Sequence, residues 1–149
     1  IFQIMGTHKR VFLFNYIDTL LSADPSSELH IGCDSQNFRQ HTVYVTAVVL
    51  RFPGNGAHVL YQKERVPIIR DLWTKLWGET ERSVNLAESI KEKVGIRAHQ
   101  IDLDYNTDPA YPSNKLLNAS TGYITSLGYE SKAKPNLLMA VWAANYLCH

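Results

Sequence analysis

Apolar and polar positions recur along this chain with two different periods. Leu13, Ile17, Leu20 and Leu21 stand at helical spacing, so Val11 to Ala23 reads as a short amphipathic helix, stopped by Asp24-Pro25-Ser26-Ser27. It is expected to pack outside the main sheet. Leu29 to Cys33 is a short apolar run ending at Asp34, read as a first strand. Thr42 to Phe52, rich in Val, Tyr and Thr, predicts a second strand. Pro53-Gly54-Asn55-Gly56 marks a turn, and Ala57 to Val66 alternates as a third. Short turns between the three imply an antiparallel meander.

The period then changes. Between Ile68 and Val94, the residues Ile69, Trp73, Leu76, Thr80, Val84, Ala87, Ile90 and Val94 trace one helical face, and Gly95 ends it. Gln100 to Asp104 is a compact fourth strand. Asp108-Pro109 and Tyr111-Pro112 punctuate a loop. Ser113 to Leu127 carries the stripe Leu116, Leu117, Tyr123, Ile124 and Leu127, and Gly128 closes it. Tyr129 to Ala133 is a weak fifth strand, and Pro135 opens a last helix over Asn136 to Leu147. Three strands followed by helix–strand alternation mean an α/β fold with a mixed sheet, antiparallel first and parallel later. The fourth strand, returning through a long helix, should run parallel to a meander strand. We expect a single domain over 1–149, with helix and linker in 1–27 and the core in 28–149.

Composition narrows the class. The chain has 149 residues, 45% hydrophobic and 19% charged, which is globular rather than disordered. A net charge of +1 demands no nucleic-acid partner, yet local patches still bind phosphates. Two cysteines, Cys33 and Cys148, make neither a disulfide framework nor a zinc motif, so a reducing, cytoplasmic setting is expected. No apolar stretch reaches the roughly 20 residues of a membrane span, and Ile1 to Arg10 lacks the order of a signal peptide.

The chemistry concentrates on acids. Asp34 and Asp104 close two strands that should be parallel neighbours, and ligands of open α/β sheets bind at that end. Carboxylates brought together there repel unless a shared proton or a divalent cation offsets the charge. Glu79 lies on the border of the long helix's buried face, in line with Leu76, Ser83, Leu86 and Ile90, and is the acid most suited to face the sheet; Glu81 is second. Glu81, Glu88 and Glu92 fall on the solvent side. Asp102 shares a strand face with Asp104 and is read as supporting. A lone Asp at a strand end more often caps a turn, and Glu79 with Arg82 one turn on makes an ordinary surface pair. The three acids in this element order form the signal.

Other groups carry less. His8, His30, His41, His58, His99 and His149 show no metal-binding spacing. His30 is read as one register off the Asp34 face and as a sheet-surface residue. Cys33 lacks a His partner for nucleophilic chemistry. Ser35 lacks the Gly-x-Ser-x-Gly elbow, and Gly54-Asn55-Gly56 is a turn rather than a phosphate loop. Arg39, Lys63, Arg65, Arg70 and Lys75 are placed on a basic rim beside the second and third strands, with Lys115, Lys132 and Lys134 near the acids. Trp73 and Trp77 are assigned to the core.

The segment Leu29-His30-Ile31-Gly32-Cys33-Asp34-Ser35-Gln36 resembles the first strand of RNase H-like proteins. Leu76-Trp77-Gly78-Glu79 with Arg82-Ser83 and Leu86-Ala87, Ile101-Asp102-Leu103-Asp104, Asn114-Lys115-Leu116-Leu117, Gly122-Tyr123-Ile124 and Lys134-Pro135 resemble the YkuK-type RNase H-like family, over roughly residues 28 to 147. The resemblance implies a five-stranded mixed sheet in the order 3-2-1-4-5, flanked by helices. It also implies a nuclease hydrolysing phosphodiester bonds with Mg²⁺ or Mn²⁺, acting on nucleic acid. Asp34 would bridge the metals, Glu79 and Asp104 would complete the catalytic set, and Ser35, Asp102, Lys115 and Lys134 would support it. The chain departs from that pattern at Asn136, where Lys-Pro-Asp is expected, and at Asn145, where an acid is expected. An amide oxygen at Asn136 can still ligate a cation without adding charge, though Asn also caps helices well. These departures raise the alternative of a catalytically impaired module that binds nucleic acid or protein.

Overall fold

A computed structural model describes residues 1–52, 54, 56–106, 110, 114–134 and 139–148, the side chains of Asn106 and Lys134 excepted. The elements run β1 (Phe2–Ile4), β2 (Arg10–Val11), α1 (Leu13–Ala23), β3 (Glu28–Phe38), β4 (His41–Phe52), β5 (Gly56–Pro67), α2 (Leu72–Val94), β6 (Gln100–Asn106), α3 (Asn114–Ser126), β7 (Ser131–Lys134) and α4 (Met139–Cys148).

One mixed sheet carries seven strands rather than the five expected, in the order β2-β1-β5-β4-β3-β6-β7. The meander and its two parallel additions form the run β5-β4-β3-β6-β7. The hairpin β1–β2 extends it at one edge, where Gln3 pairs with Tyr61 and Ile4 with Leu60. Strands of three and two residues are too short to show alternation, so the edge of β5 holds them rather than their own pattern. Pairing of Arg10–Val11 with β1 also delays the first helix to Leu13.

The two faces of the sheet are covered differently. Leu29, Ile31, Val48, Leu50, Ile101 and Leu103 meet α1, α2 and α3 in the principal core, with Ile17, Ile90 and Ile124. The stripe of α1 is thus part of that core. The opposite face, Val45 and Ala47, is covered by Ala143, Ala144 and Cys148 of α4. Each fully buried Ile or Leu side chain contributes roughly 1.5–3 kcal/mol.

Helix α2 starts at Leu72, later than the apolar period implies. Asp71 caps it by accepting from Thr74 N at 3.0 Å, and Gly95 ends it at φ 78°. Its first turn is solvated: Trp73 is 39% exposed rather than core. Trp77 is half-buried beside Tyr123. Among the described residues, no helix is long and apolar enough to cross a membrane.

A candidate active site of carboxylates at the sheet centre

The first strand does not stop at Cys33. Ser35 to Phe38 pair with His41 to Tyr44, so β3 continues four residues past Asp34, which sits inside the strand rather than at its carboxyl end. A different boundary places the acid. The parallel ladder between β3 and β6 runs His30↔Gln100, Ile31↔Ile101, Gly32↔Asp102 and ends there. Asp34 and Asp104 each stand two residues past the last rung of that ladder.

Strand parity sends neighbouring side chains to opposite faces. Asp34 faces α4, and its Oδ2 accepts from Asn145 Nδ2 at 2.7 Å. Ser35 faces α2, and its Oγ donates to Glu79 Oε2 at 2.5 Å. Residues 34 and 35 thus join the helices of both layers to one point of the sheet.

Glu79 is 4% exposed. Its Oε1 is buried with no hydrogen-bond partner among the described residues. Burial first, then the charge of Asp34, raises its pKa well above the ordinary 4.5; Asp104 adds to this, while Ser35 and Lys75 oppose it. The charges of Asp34 and Asp104 therefore both reach Glu79. Two tyrosines hold the helix here. Tyr44 donates to Lys75 O at 2.8 Å and Tyr105 to Leu76 O at 2.5 Å. Burial pushes both phenols up to about 12. Gly78 makes room for Tyr44, since a Cβ there would stand 3.0 Å from the ring carbon bearing the hydroxyl. Arg82 covers the Tyr44 ring at 3.7 Å and pairs with Glu64 at 2.7 Å.

Asp102 has a different task. Its Oδ2 accepts from Ala140 N at 2.9 Å and Val141 N at 3.3 Å, anchoring the positive end of α4. Burial raises its pKa, against Gln100, His30 and those two amides. His30 is buried on the same face as Gly32, Asp34 and Asp102, not one register off it. Residues 30 and 34 share parity, which the alternation of the strand already contains. Burial lowers its pKa, against Asp102 and Glu28.

The remaining candidates scatter. Lys115 Nζ lies over Trp73, 5.8 Å from the ring centroid. Lys132 pairs with Glu130 at 3.2 Å. Lys75, assigned to the outer rim, is the cation whose charge reaches Glu79. Glu81 is exposed and Glu88 half-buried. The Cys33 thiol is pushed well up by burial and then by Glu79, and so stays protonated. Asn136, His149, the Asp108-Pro109 and Tyr111-Pro112 pairs, Ser113, Pro53, Asn55 and the side chain of Lys134 lie outside the described residues. Among the described residues, no three His, Cys, Asp or Glu side chains close into a metal-ligating group. Asp34 faces one helical layer and Glu79 comes from the other; Glu79 keeps a buried Oε1 with no hydrogen-bond partner among the described residues and feels the charges of Asp34 and Asp104, and oxygen donors of this kind are those that hard cations take.

The Ribonuclease H-like family description matches residues 13–149. The chain belongs to that family. It is also 29% identical, over 153 residues, to the uncharacterized protein YkuK of Bacillus subtilis (strain 168), with 87% of this chain and 84% of the relative covered. The RNase H-like match takes in α1, whose stripe lies in the principal core.

Proposed function

We propose that this RNase H-like protein is a divalent-cation-dependent nuclease, hydrolysing phosphodiester bonds of nucleic acid. The observation that carries the reading is Glu79: a buried carboxylate whose Oε1 has no partner among the described residues, in the field of Asp34 and Asp104. These three residues would hold Mg²⁺ or Mn²⁺, with the amide oxygen of Asn136 as a further ligand. Such ions, when bound, lower the pKa of a water and neutralise charge on the leaving oxygen. The chain's own contributions follow from its contacts. Ser35 fixes the orientation of Glu79, Asp102 fixes α4, and Asn145 on α4 fixes Asp34. Tyr44 and Tyr105 hold the α2 backbone beside Glu79, and their neutral hydroxyls add no charge.

The test is cleavage of labelled single-stranded RNA, single-stranded DNA and RNA–DNA hybrid in Mg²⁺ and in Mn²⁺. The reading expects metal-dependent products that vanish with Asp34→Asn while the circular dichroism spectrum is kept. A folded protein inactive on every substrate in both metals contradicts it.

One contact favours a second reading. Asn145 occupies Asp34 Oδ2 with a neutral amide where an acid was expected. That arrangement suits a module that binds nucleic acid without turnover. Salt-dependent oligonucleotide binding with no cleavage would select it.

A further inference from the structure

A groove of about 710 Å³ opens on the α4 face of the sheet, between the β3–β4 hairpin and the last turn of α4. Phe38, Arg39, His41, Lys63, Arg65 and Cys148 line it. Lys63 pairs across the sheet with Val45 and Arg65 with Val43, so both project to the face that α4 packs on. Glu64 also borders the groove, but Arg82 holds it at 2.7 Å. Among the described residues, none of Arg39, Lys63 and Arg65 is in an ion pair. Three uncompensated cations thus share one concavity in a chain whose net charge is only +1.

Two features point beyond ordinary surface charge. Arg39 adopts φ 47°, a left-handed conformation that costs an L side chain on the order of 1 kcal/mol and that Gly would relieve. Phe38, 46% exposed, places an aromatic ring on the rim beside these charges. Aromatic rings next to a basic track are how proteins hold unpaired bases, whose faces are hidden in a duplex.

The groove also leads to the acids. Cys148 lines it, and Asn145, one helical turn earlier, reaches Asp34. The Cys148 thiol feels the charges of Asp34, Glu79 and Lys63 together.

We propose that this groove is the track of a single nucleic-acid strand, with Arg39, Lys63 and Arg65 on its phosphates and Phe38 stacked on a base. That the track ends at the scissile bond rests on the nuclease reading; binding itself does not.

The experiment is fluorescence anisotropy with a labelled oligouridylate of about 12 nucleotides, within the 4–16 that such grooves occupy. A hairpin-free duplex of equal length is the control, all in EDTA. The wild type binds the single strand more tightly than the duplex. Lys63→Ala with Arg65→Ala weakens binding at least tenfold and reduces the slope of log K against log salt by about 1.4, since about 0.7 is lost per phosphate contact. Phe38→Ala weakens binding about 5- to 160-fold, the range for one lost stacking contact, with the slope unchanged. Arg39→Gly weakens binding without lowering the melting temperature, which a purely structural turn residue would not do. Lys91→Ala with Lys93→Ala, equal in charge and remote on α2, binds as wild type. Equal affinity for duplex, or unchanged affinity and slope in the Lys63/Arg65 variant, overturns the proposal. EDTA keeps the outcome separate from cation chemistry. Metal-dependent cleavage that survives in the Lys63/Arg65 variant with unchanged KM would remove the groove and leave the acid site standing.

Discussion

Asn145 Nδ2 donates to Asp34 Oδ2 across 2.7 Å, tying α4 to the interior of β3. The bond satisfies one oxygen of a buried carboxylate but adds no negative charge where a cation would sit. Asn145→Asp replaces the donor with a second carboxylate. Without metal the two repel, and the melting temperature in EDTA should fall by about 3 °C or more, the effect of ~1 kcal/mol in a domain of this size. With Mn²⁺ the added charge should tighten binding on the order of tenfold, or ~1.4 kcal/mol. Titration calorimetry and thermal melts read both. Unchanged Mn²⁺ affinity would remove the link between Asn145 and the acids.

Glu79 sets the pH dependence of stability. Its folded pKa lies above the ordinary 4.5, with burial the first cause and Asp34 the second. Above about pH 4.5 the unfolded chain has released this proton while the folded protein still holds it. Unfolding then releases a proton, so stability falls as pH rises from about 4.5 through the raised folded value. Glu79→Gln keeps the shape and removes the ionisation. The variant should melt at least about 3 °C higher than wild type at pH 8 in EDTA, and the gap should close toward pH 4. Urea midpoints across pH 4–8 check the sign; a gap that widens toward low pH contradicts it.

Much of this arrangement was legible in the sequence, for identifiable reasons. The meander and long helix carry strong periods, and Glu79 falls inward by helical phase because Thr80, Ser83 and Val84 around it are buried too. Element order puts Asp34 and Asp104 on neighbouring parallel strands, and β3 and β6 do pair in parallel, through a ladder that ends two residues before each acid. The end of β3 was hidden because Ser35, Gln36 and Asn37 are three polar residues in succession; pairing with His41 to Tyr44 makes Ser35 to Phe38 a strand. The hairpin β1–β2 was hidden because three and two residues are too few to establish a period. His30 was misplaced by a parity error that alternation alone corrects. Trp73 reads as core because hydrophobicity reports what can be buried, whereas the first turn of α2 is left solvated, with Leu72 41% and Trp73 39% exposed.

Gly32 decides how closely α4 approaches the sheet. A Cβ there would stand 2.7 Å from Val141 N and 2.9 Å from Ala140 C, the two residues whose amides Asp102 holds. Gly32→Ala should destabilise by about 1–3 kcal/mol, the cost of overpacking. Gly122 in α3 has open space around its Cβ position, so Gly122→Ala should stabilise by roughly 0.5–1 kcal/mol. Chemical denaturation of both variants measures the contrast. Equal effects would show that α4 can shift outward freely.

The central claim is that Asp34, Glu79 and Asp104 act together as a cation site. The most direct measurement is calorimetric titration of Mn²⁺ into the wild type and Asp34→Asn, in two buffers of different ionisation enthalpy. The account predicts saturable binding to the wild type with proton release, because the cation displaces the proton that Glu79 favours, and loss of that binding in the folded variant. Folded wild type that takes up no Mn²⁺ at millimolar concentration, or Asp34→Asn that binds it equally well, would contradict the account.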